Sequence, residues 1–169
     1  MGDRFYKMHG LGNDFVVIDA RENAVAMSEA RARAIADRRT GIGCDQLILL
    51  GPSDSADARM RIFNHDGSEV GACGNAFRAV ALLLGGKTTL ETLGGTIALE
   101  AQGDSARVDL EEPRFDWDII PLAYAMDTRD MPVSWDDLPT PSAANIGNPH
   151  VVFFVPDCDA VELERLGPL

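Results

Sequence analysis

Short runs of apolar and β-branched residues, bounded by glycine, asparagine and aspartate, recur through the first two thirds of the chain. Runs of four to eight such residues between turn-forming residues are typical of strands. They predict strands at residues 4–9, 15–19, 47–50, 60–64, 88–92, 96–100 and 106–111. The last three follow one another across short turns, which indicates an antiparallel meander.

Two segments break this pattern and predict helices. Ser28 is a good N-cap for an Ala- and Arg-rich helix over 30–39, which is expected to stop near Thr40. Residues 75–84 contain a single charge, Arg78, and are too long and too rich in Ala and Leu for a strand. A Gly-Gly pair then ends this helix. The pattern therefore predicts an α/β (α+β) fold with an antiparallel meander wrapped on a buried helix.

The pattern changes after Pro113, where residues 114–141 are rich in proline, aspartate and tryptophan. This composition indicates a crossover into a new region, so we expect a boundary near residue 115. The predicted domains are 1–115 and 116–169, and an acidic helix start is expected after Asp157.

A weak internal repeat links the two predicted domains. Gly147-Asn148, followed two residues later by a Val pair, repeats the pattern that begins at Gly12-Asn13. With the same offset, the counterpart of Cys73 would lie beyond Leu169. The second domain is therefore expected to be incomplete.

Cys73 is the strongest candidate for chemistry, because it precedes the predicted buried helix and lies between Gly71 and Gly74. A helix N-terminus presents unpaired N–H groups that bind carboxylates and stabilise a thiolate. The flanking glycines allow a ligand to approach the backbone closely. The alternative is that Cys73 is simply a small buried hydrophobic residue.

Other polar residues have a structural interpretation beside the functional one, and for Asn13 the residues alone favour the structural one. Asn13 could bind a ligand or only form its turn, and Gln46 could offer an amide to a ligand or bridge backbone groups. Cys44 lies beside Asp45, whose charge is expected to disfavour a thiolate.

Charge and cysteine usage narrow the class of partner. A net charge of −12 argues against nucleic acid and against an anionic membrane surface. The chain has three cysteines, an odd number, and none of them has C-x-x-C spacing. This suggests neither a disulfide framework nor a zinc site. The sequence shows neither a signal-peptide pattern nor an apolar run long enough to span a membrane. We therefore expect a cytoplasmic protein that binds a small molecule or another protein.

Four motifs, in the same order along the chain, resemble those of diaminopimelate epimerase, in the PLP-independent amino-acid racemase group. They are M-H-G-L-G-N-D-F-V-V-I-D at 8–19, G-I-G-C-D-Q at 41–46, M-R-I-F-N-H-D-G-S-E-V-G-A-C-G-N-A at 60–76 and I-G-N-P-H at 146–150. The resemblance implies two pseudo-symmetric α/β halves, each a curved, mostly antiparallel sheet around a central helix, with the active site in the cleft between them. This chain would hold one complete half.

The same resemblance implies roles for individual residues. Cys73 matches one of two catalytic cysteines, and His150 matches a histidine near the catalytic centre. The substrate-binding groups would be Gly74 and Asn75 at the helix start, together with the side-chain amides of Asn13, Gln46, Asn64 and Asn148. His9 and His65 are expected to be structural.

The implied reaction interconverts LL- and meso-2,6-diaminopimelate, in lysine and peptidoglycan precursor biosynthesis. One cysteine thiolate removes the α-hydrogen and a second cysteine thiol returns one to the opposite face, with no metal and no cofactor. The implied partner is a small-molecule amino acid, with no nucleic acid and no membrane, and a homodimer stays open.

The chain departs from the family pattern in one respect. Family members are longer, and the A-C-G-[ST]-G stretch with the second cysteine does not occur in these residues; neither Cys44 nor Cys158 lies in such a motif. We therefore expect little or no activity from the 169 residues alone. A non-catalytic amino-acid-binding fragment is the main alternative. A cysteine hydrolase or transferase using Cys73 with His150 is less favoured, and H-G-L-G-N-D-F disfavours a proline racemase type.

Overall fold

The computed structural model describes residues 4–110 and 112–167. The chain divides into two compact units, one up to residue 111 and one from residue 112 onward. The boundary that the sequence predicts near residue 115 stays a prediction. Among the described residues, no helix is both long and apolar enough to cross a membrane.

The first unit is an eight-stranded sheet with two helices. In chain order its elements are β1 (Phe5–Gly10), β2 (Asn13–Asp19), α1 (Glu29–Ala36), β3 (Gln46–Gly51), β4 (Ala58–Asn64), β5 (Glu69–Val70), α2 (Gly74–Leu84), β6 (Lys87–Thr92), β7 (Gly95–Gln102) and β8 (Ser105–Asp109). The predicted strands and the buried helix are confirmed to within a few residues. The predicted end of the last strand, residue 111, lies outside the described residues.

The sheet is mostly antiparallel and curves around α2. Its order is β1-β2-β3-β4-β6-β7-β8, with β5 paired to β4, and only β2–β3 and β4–β6 are parallel pairs. Helix α2 contacts β1 at one end of this order and β7 and β8 at the other, which requires the sheet to curl. The fold class predicted from the sequence is thereby confirmed.

Two cores lie on opposite faces of the central strands. Phe15 and Val17 of β2 pack with α2, whereas Val16 and Ile18 pack with α1. Burial on both faces explains why the strand reads as an almost continuous apolar run rather than as an alternation.

Helix α1 is shorter than predicted. Ser28 caps it as expected, accepting a hydrogen bond from the Arg31 N–H, but the helix ends at Ala36 rather than near Thr40. The reason is Asp37, whose carboxylate accepts hydrogen bonds from the N–H groups of Arg39 and Thr40 and so turns the chain out of the helix.

The second unit has less regular structure. It contains a two-stranded antiparallel hairpin, β9 (Ser142–Asn145) and β10 (Pro149–Val152), and a single helical turn, α3 (Leu163–Leu166). A small core of Ile120, Met131 and Ala143 holds it together. The helix expected after Asp157 is therefore reduced to one turn.

Candidate active site

Three of the predicted amide side chains lie on one face and at one end of the sheet. Asn13 opens β2, Gln46 opens the parallel strand β3, and Asn64 ends the antiparallel strand β4, directly opposite Gln46 in register. Strand residues two positions apart share a face. The residues two positions further into each strand are all buried in the core with α2: Phe15, Ile48 and Ile62. The three amides therefore face the same side as α2.

The start of α2 lies at this same end of the sheet. Cys73 is the N-cap residue, half-buried and in extended conformation, and its Sγ accepts a hydrogen bond from Asn13 Nδ2 at 3.8 Å. A Cβ added to Gly10 would lie 3.2 Å from the Asn75 Cβ, so the β1–β2 turn packs directly against the helix start. The first unit thus gathers six of the predicted site residues: Asn13, Gln46, Asn64, Cys73, Gly74 and Asn75.

Two aspartates that sequence reasoning did not select fix the spacing of Asn13 and Gln46. The Asp14 N–H donates to Asp45 Oδ2 at 3.0 Å, and the Asp45 N–H donates to Asp14 Oδ1 at 2.9 Å. These reciprocal bonds tie together the starts of the parallel strands β2 and β3, immediately beside the two amides. The only sequence signal was an aspartate next to each amide.

Two cations bind this pair of aspartates. Arg38 and then Lys7 hydrogen-bond the Asp14 carboxylate, at 2.6 Å each, and hold the pKa of Asp14 well below its usual range. Arg38 also binds Asp45, at 2.8 Å. The Asp14 carboxylate therefore stays ionised at neutral pH and keeps its bonds to the start of β3.

The side chains of Gln46 and Asn64 are hydrogen-bonded to each other, but one polar atom of Gln46 has no partner among the described residues. Gln46 Nε2 donates to Asn64 Oδ1 at 3.0 Å. Gln46 Oε1 is buried and has no hydrogen-bond partner among the described residues. A buried unpaired acceptor is costly, and it is expected where a ligand supplies the missing donor.

Arg78 adds a cation to the helix start that sequence reasoning also missed. Its Nη1 donates to Asn75 Oδ1 at 3.0 Å. A guanidinium is only a donor, so the Asn75 amide turns its oxygen to Arg78 and keeps its N–H groups for another acceptor. A Cβ added to Gly74 would meet only this guanidinium, at 3.8 Å, so the backbone there is open to a ligand.

The other two cysteines have different surroundings. Cys44 is buried in the core beside α1, on the sheet face away from α2, and burial raises the pKa of its thiol. The sequence predicted a disfavoured thiolate because of Asp45, but burial is the main cause. Cys158 is exposed in the second unit.

Asn148 and His150 belong to the second unit and are described there alone. Both are exposed, and His150 Nδ1 lies 3.0 Å from the Asn148 carbonyl oxygen across the start of β10. Gly147 adopts a φ of 100°, as Gly12 adopts 89° before Asn13, so the two G-N motifs share a left-handed glycine.

The assembled groups suit an α-amino acid. Open N–H groups at a helix start and a nearby guanidinium bind a carboxylate. The free Gln46 oxygen can accept from an ammonium group, and the half-buried Cys73 thiol, with Asn13 as its hydrogen-bond donor, lies at the helix start.

Comparison with known proteins gives a family match and similar relatives. The sequence profile described as "Diaminopimelate epimerase" matches residues 5–115. A diaminopimelate epimerase of Rhizorhabdus wittichii is 69% identical over 98% of this chain, and one of Sphingopyxis alaskensis is 66% identical over 99% of it. These alignments cover 61% and 63% of the two relatives, so the chain spans about three fifths of their length.

Solved structures support the fold. A crystal structure of a hydroxyproline epimerase from Agrobacterium vitis, with bound trans-4-OH-L-proline, superposes with a TM-score of 0.57 at 14% sequence identity. The superposition covers 96% of this chain and 52% of that one. At this identity the likeness concerns the fold alone.

Proposed function

Because the chain belongs to the diaminopimelate epimerase family, we propose that its first unit forms half of an active site that interconverts LL- and meso-2,6-diaminopimelate. The observation that carries this proposal is the convergence of Cys73, the start of α2 and three amides at one end of the sheet. The pathway would be lysine and peptidoglycan precursor biosynthesis.

Cys73 is the acid/base residue of this half. The α-hydrogen of an amino acid is very weakly acidic, so its removal needs a base held against the α-carbon and stabilisation of the charge that develops. The Asn13 N–H group stabilises negative charge on the Cys73 sulfur. The α-carboxylate would rest on the open N–H groups at Gly74 and Asn75, next to Arg78.

Inversion of configuration also needs a proton donor on the opposite face of the α-carbon. We assign that role to a second cysteine, as the family resemblance implies, so that no cofactor takes part. Cys44 does not qualify, because it is buried on the sheet face away from α2. Asn148 and His150 stay candidates for substrate binding and catalysis on the resemblance alone.

The test is deuterium incorporation at the α-carbon of LL-diaminopimelate in heavy water. We compare the 169-residue chain, a chain extended to the length of its relatives, and Cys73→Ala of the longer chain. The extended chain should exchange the α-hydrogen, and Cys73→Ala should lose several orders of magnitude in rate, as loss of one member of a cooperating set commonly does. The 169-residue chain should be nearly inactive.

Two outcomes would favour the alternatives. Full activity of Cys73→Ala would contradict the assignment of the site. Tight binding of diaminopimelate by an extended chain that never exchanges the α-hydrogen would select a binding protein over an epimerase.

A further inference from the structure

A directed series of hydrogen bonds leads from Gln46 to a carboxylate. Gln46 Nε2 donates to Asn64 Oδ1 at 3.0 Å, and Asn64 Nδ2 donates to Ser68 Oγ at 3.2 Å. The Ser68 hydroxyl donates in turn to Asp66 Oδ1, at 2.6 Å. The series runs from the site, across the end of β4, into the turn that follows the strand.

The carboxylate at the end decides the direction of every bond in the series. An ionised carboxylate can only accept, so the Ser68 hydroxyl must donate to Asp66 and offer its lone pairs to Asn64. Asn64 must then present its oxygen to Gln46, and Gln46 donates to it through Nε2. The Gln46 oxygen is left over, and it is the buried acceptor without a partner among the described residues.

Two observations indicate that Asp66 remains ionised. Hydrogen bonds from the hydroxyl and the backbone N–H of Ser68 hold the pKa of Asp66 below its usual range. His65 and Arg33 face the carboxylate and act in the same direction. The carboxylate is therefore an acceptor throughout the neutral range.

The turn that holds Asp66 is anchored on α1. Arg33 Nε donates to the Asp66 carbonyl oxygen at 2.7 Å. A Cβ added to Gly67, whose φ is +90°, would lie 2.3 Å from the Glu29 carbonyl oxygen. The turn packs this tightly because Gly67 has no side chain, and the position of Ser68 under Asn64 is fixed as a result.

We propose that Asp66, acting through Ser68 and Asn64, is a positioning residue that turns the Gln46 oxygen toward the ligand. The site then accepts a hydrogen-bond donor at that point, and an amino-acid ammonium group is the donor that fits. This inference rests on the proposed function for the identity of the ligand. The orientation of the amide is a property of the chain without ligand.

The first measurement needs no ligand. Solvent exchange of the Gln46 side-chain N–H protons, followed by NMR, should be about threefold to tenfold faster in Ser68→Ala, since one hydrogen bond of the series is lost. Ser68→Thr keeps the hydroxyl and should restore the slow exchange. Asp66→Ala should behave as Ser68→Ala does, because the series then loses the acceptor that fixes its direction.

The matched control lies at the other end of β4. Asp57 accepts hydrogen bonds from the Thr89 N–H at 2.7 Å and the Thr89 hydroxyl at 2.8 Å, the same carboxylate–hydroxyl arrangement away from the site. Thr89→Val should cost stability without changing the exchange of the Gln46 amide. If Ser68→Ala only lowers stability, as this control does, the proposal is overturned.

The second measurement uses a ligand pair, LL-diaminopimelate and pimelate, which lacks both amino groups. The ratio of their affinities should fall by about tenfold to a hundredfold in Ser68→Ala, because a hydrogen bond to a charged group is lost. The ratio should be unchanged in Thr89→Val. An unchanged ratio in Ser68→Ala would overturn the proposed role of Gln46 toward ammonium.

The two proposals can fail separately. If diaminopimelate does not bind the chain extended to the length of its relatives, the proposed function is contradicted, and amide exchange alone then decides the orientation. If diaminopimelate binds but amide exchange is the same in Ser68→Ala, only the positioning role of Asp66 is contradicted.

Discussion

The sheet of the first unit carries polar side chains at both ends of β4, and the two ends differ in how these side chains are paired. At the start of the strand, Glu91 accepts from Ser53 at 2.6 Å and from Ser55 at 3.3 Å, and it pairs with Arg59. At the end of the strand, Asn64 and Gln46 bond to each other, and Gln46 Oε1 is left without a partner.

The difference lies in one unpaired acceptor at the end of β4. Among the described residues, Gln46 Oε1 is the only buried side-chain nitrogen or oxygen that lacks a hydrogen bond. Buried polar atoms are nearly always paired, so an exception needs a reason. At the start of β4 the Glu91 carboxylate is fully paired within the protein, and at the end of β4 one acceptor is left unpaired, which the proposed site assigns to a ligand.

The largest expected effect is a loss of stability that both ends of β4 should share. Phe77 of α2 is buried in the core that underlies both, and Phe77→Ala should lower the free energy of unfolding by about 3–5 kcal/mol. Chemical denaturation measures the loss, and amide exchange at Ala58 and Asn64 should rise by similar factors. Leu82→Ala, on the exposed side of α2, is the control and should cost far less.

A smaller effect should fall on the site end alone. Gly67→Ala combines a positive φ with a contact of 2.3 Å to Glu29, whereas Gly103→Ala has a positive φ and open space around it. We expect about 1–2 kcal/mol of destabilisation from Gly103→Ala and about 1–3 kcal/mol more from Gly67→Ala. Thermal unfolding and diaminopimelate affinity check this.

The affinity distinguishes the two glycines further. Gly67→Ala should weaken diaminopimelate binding because it moves Ser68 away from Asn64, and Gly103→Ala should leave binding unchanged. Equal losses of stability in the two variants would show that the turn at Gly67 can shift to accept a side chain, and that α1 does not fix its position.

The smallest effect should appear at the start of β4 and only in acid. Hydrogen bonds from Arg59, and then from Ser53, lower the pKa of Glu91 to about 2. A carboxyl group with a lowered folded-state pKa contributes stability above its unfolded pKa of about 4.3, and that contribution is lost as the pH falls through the folded-state value.

Glu91→Gln should therefore flatten the dependence of unfolding on pH between roughly pH 5 and pH 2. Diaminopimelate binding at neutral pH should not change, since Glu91 lies away from the site. Denaturant titrations across this pH range check the first expectation, and a change in ligand affinity would contradict the separation of the two ends.

Many elements of this fold can be predicted from the sequence because they depend on local patterns of residues. Short apolar runs between turn-forming residues predict the strands, and the Ala- and Leu-rich segment predicts α2 with Cys73 at its start. The end of α1 was predicted wrongly because the capping effect of Asp37 depends on the backbone path after the helix.

The groups that position the site were harder to predict because they join residues distant along the chain. The bonds between Asp14 and Asp45 require the parallel pairing of β2 and β3, which no local pattern reveals. The contact of Ser68 with Asn64 likewise depends on the path of the turn after β4. Motif resemblance predicts which amides bind the substrate without showing what orients them.

Competitive alkylation of the three cysteines tests the central claim most directly. Cys158 is exposed and Cys73 only half-buried, so accessibility alone would favour labelling of Cys158. With limiting iodoacetamide and peptide mapping, we expect Cys73 to label first, because it lies at the start of α2 and its sulfur accepts a hydrogen bond from Asn13. Diaminopimelate should slow the labelling of Cys73 and leave that of Cys158 unchanged. Faster labelling of Cys158 or Cys44, or equal protection of all three, would contradict a diaminopimelate site at Cys73.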